Sequence, residues 1–264
     1  MVSNLVINQN TYVSLATASA YLADSPRTTA WAFLDPDTQN RSLIAAAREI
    51  DKQRYLGTLT ALQILNTAGV GAAGTTYVAG DRVTVGIGVG VQAYAGVVTV
   101  GGSGEVQSIR LDQAGLYTSI PSSPAATTTS GSGTGFTMSL TTKTQVMTFP
   151  RTGLIDAEGN AVNANTIPSE VENAQIEYAF ELSQEPELEG SSGTGDNNKV
   201  LQAGSVRVER FRPLTGTRFP NIVQEFLRPF FDSFGSVTPP FAPGVTAESR
   251  FDDADFYKLD RGFA

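Results

Sequence analysis

The spacing of apolar and polar positions changes three times along this chain. Leu15, Ala18 and Leu22 recur at i, i+3 and i+7, one face of a helix, with Ser14 placed as its N-cap and Pro26 closing it. A longer helix is predicted next. Asp35 is its N-cap and Pro36 takes the first helical position; Leu43, Ala46, Ala47 and Ile50 form its stripe, and Gly57 is its stop. Trp31 and Phe33, just ahead of it, are expected to pack onto it.

From residue 58 to 143 the period shortens towards two. Runs such as YAGVVTVGG and GEVQSIRLDQAGLYT, divided by Gly, Ser and Asp turns, predict a small antiparallel β-domain. After the stretch TFPRTG (148–153) the helical period returns, with Val171, Ala174, Tyr178 and Leu182 on one face and Pro168 near the start. GSVRVERFRP then reads as a strand, with Val206 and Val208 on one side and Arg207 and Glu209 on the other. A last amphipathic helix, FPNIVQEFLRPFFDSF, is kinked or ended by Pro229, which lacks the N–H that a helix interior uses.

This order predicts an α+β fold: a small α-helical bundle core interrupted by an inserted antiparallel β-domain and followed by an extended C-terminal tail. The boundaries are 1–57 and 144–234 for the two parts of the helical core, 58–143 for the β-domain and 235–264 for the C-terminal arm.

Composition narrows the chemistry. The chain of 264 residues is 41% hydrophobic and 17% charged, a folding composition large enough for one sizeable core or two smaller ones. It has neither cysteine nor histidine, which removes disulfides, thiolate chemistry, Cys/His zinc sites and histidine general bases. Carboxylate-pair hydrolases and oxygen-ligated calcium remain open to such a chain, but with the commonest catalytic toolkits missing no enzyme, cofactor or metal is expected. No apolar run reaches the length of a membrane span, and the N-terminus lacks a basic signal-type region, so no membrane association is expected. Net charge is −8, and residues 152–198 carry ten acids with no Lys or Arg. Such a segment points away from tight DNA binding, which needs several cations on phosphates.

The ordered pieces TYVSLATASAYLADSPRTTAWAFL, LIAAAREIDKQRYLG, TQVMTFPRTGLIDAEGNAV and IPSEVENAQIEYAFELS resemble the head–tail adaptor (connector, or head-completion) proteins of tailed bacteriophages. The resemblance covers 12–57, 144–183 and, more weakly, 204–231; the stretch 58–143 departs from that pattern and is similar to glycine-rich β-repeats of phage virion and tail proteins. The adaptor resemblance implies a structural virion protein made in the host cytoplasm and placed at the neck. It would form a homo-oligomeric ring, a dodecamer, beneath the portal protein, extend the DNA channel and dock the tail or a tail-terminator or neck protein. DNA would pass through without specific binding, and the β-domain would touch capsid or tail.

Residue roles follow on that basis. Phe149 anchors the turn, Pro150 fixes its φ, Gly153 permits it, and Arg151 is suited to pair with a carboxylate of its own or a neighbouring subunit. Phe241, Phe251, Phe256, Tyr257 and Phe263 would anchor the C-terminal arm to the portal, and Glu170, Glu172, Glu177 and Glu181 would face the channel.

The alternative readings are a single-stranded-DNA-binding protein of the replication type and another neck or tail-terminator protein. DNA binding calls for a basic groove with stacking aromatics. Its candidates are Arg41, Arg48 and Lys52 near Tyr55, and the cluster RVERFRP at 207–213. A hydrolytic reading would use Asp81, Glu105 and Asp112 as carboxylates, and DDAD at 252–255 is a weak calcium candidate without the spacing of an EF-hand loop.

Overall fold

Two short side chains open the first two long helices. Ser14 is extended, and its hydroxyl accepts from the Thr17 N–H at 2.9 Å, starting α1 (Leu15–Ala23). The Asp35 carboxylate accepts from the Asp37 and Thr38 N–H groups at 3.0 Å each, starting α3 (Pro36–Asp51). Between them lies the five-residue α2 (Thr28–Ala32). Trp31 is buried there and donates its indole N–H to Ser19 Oγ at 3.2 Å, whereas Phe33 is 85% exposed and does not pack as expected. The predicted stripe Leu43, Ala46, Ala47 and Ile50 is buried. The helix stops at Asp51, well before Gly57, which serves a different turn.

The computed structural model describes residues 4–86, 88–184, 200–203, 206–209 and 219–231. The chain divides into the units Met1–Phe231 and Asp232–Ala264, and every described residue lies in the first. After α3 come β1 (Thr58–Leu59), β2 (Gln63–Thr75), β3 (Arg82–Val85), β4 (Val89–Val91), β5 (Tyr94–Val100), β6 (Val106–Gln113), β7 (Leu116–Ser119), β8 (Ala125–Thr129) and β9 (Thr134–Thr144). They are followed by β10 (Arg151–Thr152), α4 (Ser169–Gln184), β11 (Val200–Ala203), β12 (Val206–Glu209), α5 (Asn221–Leu227) and a 3-10 turn, Arg228–Phe230, that contains Pro229.

Eight strands form one antiparallel sheet in the order β4-β7-β2-β9-β8-β3-β5-β6. It is bent into a half-barrel at corners where the chain has little room. Between β6 and β7, Gly115 has φ +70°, and a Cβ there would lie 2.8 Å from Val91 O and 2.9 Å from Ala93 N. At that corner Ala114 O accepts from Leu65 N at 2.9 Å, joining the sheet's edge back to β2. Ile64, Leu65, Val83, Val85, Ala95, Tyr117, Phe136 and Met138 belong to the buried hydrophobic cluster of this sheet. Fully burying such a side chain contributes about 1.5–3 kcal/mol, which is what makes so uncharged a segment fold. Val6 joins this cluster too, and Ile7 exchanges backbone hydrogen bonds of 2.9 Å with Asp112 and Ala114.

The helices pack on a second hydrophobic cluster. Ala18, Leu22, Leu43, Ile50, Val171, Ala174, Tyr178, Val223 and Leu227 belong to it, together with Tyr12, Tyr55, Phe149 and Phe230. The expected fold class is corrected here. The molecule is mainly β, with twelve strands against five α-helices among the described residues, and it is not an α-helical bundle interrupted by an insert. The amphipathic periods of 15–23, 36–51 and 169–184 are real, but α2 and α5 are too short to complete a bundle. The Gly/Ser/Thr-rich middle, low in complexity to the eye, makes strands of up to 13 residues (β2).

Candidate functional site

The turn TFPRTG ties the two ends of the sheet segment together. β1 and β10 pair with Thr58 opposite Thr152 and Leu59 opposite Arg151. Gly57 has φ +69°, and a Cβ on it would sit 2.2 Å from Thr152 O, so this approach of two backbones requires glycine. Phe149 is buried, edge-on to Tyr55 at 4.7 Å, Phe230 at 5.9 Å and Tyr12 at 6.1 Å between ring centroids. Its peptide bond to Pro150 is cis. Arg151 pairs with no carboxylate among the described residues. Its Nε donates to Leu56 O at 2.8 Å, and its Nη2 to Gly57 O at 2.8 Å and Tyr55 O at 3.2 Å. A planar fork with several donors suits three converging carbonyls as well as a carboxylate. Arg151 thus holds the chain that leaves α3.

Two buried polar hubs escaped the sequence reading. Asp51 Oδ1 accepts from the Tyr12 hydroxyl and, at 2.9 Å, from Thr148 N, while Thr148 Oγ1 donates to Asp51 O at 3.1 Å. Burial raises the Asp51 carboxyl above the ordinary aspartate range, and the hydrogen bonds from Tyr12 and Thr148 work against it. Gln175, fully buried in α4, accepts from Tyr12 N at 2.9 Å and donates to Thr11 Oγ1 and Leu43 O at 2.8 Å each. The available signal was a polar residue inside an apolar helix face, the pattern of a satisfied interior group.

The four glutamates expected to face a channel are not one solvated row. Glu177 is buried and ion-paired to Arg27, and its Oε1 accepts from the Tyr21 hydroxyl at 3.2 Å. Arg27 also lies 4.0 Å from Glu181 and over the Phe180 ring at 5.4 Å. Glu170, Glu172 and Glu181 are half-buried, and desolvation pushes the Glu172 carboxyl up. The hydrolytic trio is not assembled either. Asp81 accepts from Val78 N at 2.9 Å, Glu105 from Ser103 N at 3.0 Å, and Asp112 pairs with Arg110. Backbone hydrogen bonds hold the Glu105 carboxyl below its usual range. Among the described residues no cluster of three acids is placed to hold a metal.

Of the basic candidates, the α3 face is not a stacking groove. Arg41 pairs with Asp37, Lys52 pairs with Glu49, and Tyr55 is buried, donating its hydroxyl to Ile50 O at 2.9 Å. Arg48 is exposed. The second candidate begins on a hairpin, β11–β12, in which Gln202 pairs with Arg207 and Val200 with Glu209. The rest of RVERFRP lies outside the described residues, as do DDAD and the arm aromatics Phe241, Phe251, Phe256, Tyr257 and Phe263.

Residues 132–239 match the family described as "Putative DnaT-like ssDNA binding protein". No curated protein and no solved structure matches the chain. The matched segment contains β9, the TFPRTG turn, α4, the β11–β12 hairpin and α5. This corrects the adaptor resemblance. The family is not a head–tail adaptor family, and the match supports neither a portal-bound ring nor portal and tail partners. It also speaks against DNA passing without being bound. Both TQVMTFPRTG and IPSEVENAQIEYAFELS, on which the resemblance leaned, lie inside the match. A turn and a helix of this kind describe local packing, which several functions can share.

Proposed function

We propose that this chain binds single-stranded DNA in the manner of a replication-type protein and catalyses no reaction. The match of residues 132–239 carries the reading. Charge supports it. Within that segment, residues 199–228 hold Lys199, Arg207, Arg210, Arg212, Arg218 and Arg228 against only Glu209 and Glu225. On a protein of net charge −8 this is a local reversal of sign, and cations on phosphates supply most of the affinity for single strands. Phe211 stands between Arg210 and Arg212, the pairing of aromatic and cation that suits sequence-tolerant stacking.

Anisotropy of a fluorescein-labelled oligo-dT, titrated with the full chain at several salt concentrations, tests this. If four cations neutralise phosphates, log K falls with log salt at a slope of roughly −3. The triple substitution Arg207→Ala, Arg210→Ala, Arg212→Ala should weaken binding at low salt and flatten the slope by about 2. No binding by the wild type at low salt overturns the reading.

A further inference from the structure

The outer face of β3, β5 and β6 gathers two of the three cations of the nearly uncharged stretch 58–143 around one tyrosine. Gly96 on β5 pairs with Arg82 on one side and Arg110 on the other. Two residues earlier, on the same face, stands Tyr94. The Arg82 guanidinium lies over the Tyr94 ring, 5.2 Å from its centroid. Arg110 Nε donates to Asp112 Oδ1 at 2.7 Å, which leaves the rest of its fork and the second Asp112 oxygen for other partners. Gly96 keeps the floor between them low, since a Cβ there would crowd Asp112 Oδ2 at 3.1 Å.

Beside this face lies a cavity of about 420 Å³, walled by the N-terminal segment, the start of α1, α3 and the sheet. Tyr94, Arg110 and Asp112 line it from the sheet, Asn4 and Asn40 add amides, and Leu15 adds an apolar surface. That volume falls within the range of small-ligand sites, and the mixture of an apolar wall with a few convergent polar groups is what such sites use. The charges are sorted by position. Arg82 is exposed and the Arg110 side chain is 60% exposed, whereas the Asp112 side chain is 25% exposed.

We propose that this cavity is a nucleobase subsite for single-stranded DNA. Tyr94, which lines the cavity where Arg82 does not, offers a base the ring face away from Arg82. Asp112 accepts from the exocyclic amino group of adenine, cytosine or guanine, and Arg82 and Arg110 meet the flanking phosphates. The proposal rests on the DNA-binding reading and deepens it, because the site lies outside the matched segment. Stacking tolerates every base, while a carboxylate acceptor favours an amino-bearing base over thymine.

The test uses the full chain, fluorescein-labelled oligo-dC and oligo-dT, and the variants Tyr94→Leu, Arg82→Gln and Asp112→Asn, each checked for a native circular-dichroism spectrum. Tyr94→Leu should weaken oligo-dC binding about tenfold. Asp112→Asn should reduce the preference for oligo-dC over oligo-dT. Irradiation of an oligomer containing 5-iododeoxycytidine should cross-link the peptide that carries Tyr94. If Tyr94→Leu does not fold, Arg82→Gln and the cross-link decide. Wild-type binding that all three variants preserve, with cross-links confined to 199–228, overturns the subsite and leaves the DNA-binding reading standing. A wild type that binds neither oligomer overturns both.

Discussion

The two hydrophobic clusters differ in how they treat polar groups. On the strands of the eight-stranded sheet every buried residue is apolar or tyrosine. The neighbouring helices bury Gln39, Ser42 and Glu49 on α3, and Gln175 and Glu177 on α4. The reason lies in the backbone. A sheet satisfies its N–H and C=O groups through the ladder, so its side chains need only fill space. Helices satisfy their own backbones and leave their mutual placement to side chains. Directional pairs such as Gln175 with Leu43 O and Glu177 with Arg27 then link particular positions. The sheet should therefore respond to volume alone, and the helical cluster to volume, charge and pH.

The largest effects come from removing the aromatic centre of either cluster. Phe149→Ala in the helical cluster and Phe136→Ala in the sheet should each cost about 4 kcal/mol in chemical denaturation, the range for a fully buried phenylalanine. A loss below about 1 kcal/mol at either site would show that side chain not to be a core contact.

Next in size is a change the sheet cannot mirror. Arg27→Ala leaves Glu177 buried with the Tyr21 hydroxyl as its partner among the described residues, at a cost of about 3 kcal/mol at neutral pH. The double substitution Arg27→Met, Glu177→Met should recover much of that loss. On the sheet, Arg110→Ala removes an ion pair whose arginine side chain is 60% exposed and should shift stability by less than about 1 kcal/mol. Equal losses for Arg27→Ala and Arg110→Ala would erase the distinction between the regions.

The smallest effect is the most diagnostic. Burial raises the Asp51 carboxyl, so the folded chain holds that proton more tightly than the unfolded chain does. The stabilisation from the protonated form is complete below the unfolded-state value, about 4. It is lost as pH rises through the raised folded-state value. Asp51→Asn cannot titrate there, yet its carbonyl can still accept from Tyr12 and Thr148. At neutral pH it should lie within about 1 kcal/mol of wild type. Its advantage over wild type should grow as pH rises through that window. Parallel pH curves for the two proteins would remove Asp51 from the account.

Local physics was legible in the chain itself. Ser14 and Asp35 cap because their side chains reach N–H groups two or three residues on, and the stripes of α3 and α4 follow from a period that needs only neighbours. The runs of 58–143 were readable as strands, but their order was not. Pairing β2 with β9 brings Gln63 opposite Thr144, and a choice among partners that far apart depends on every other strand. Charge misled for the same reason. The ten acids in 152–198 pointed away from DNA binding and Glu177 was expected to face a channel, yet Glu177 lies inside because Arg27 is brought to it from 150 positions earlier. Arg151 was readable as a cation in a turn, while its three carbonyl partners exist only once α3 and β10 have met. The cavity beside Tyr94 was the least legible, since residues at 4, 15, 40, 94, 110 and 112 share it. Caps, periods and turns are set by residues within a turn or two of each other. Burial, pairing and cavities depend on which distant surfaces the folded chain brings together.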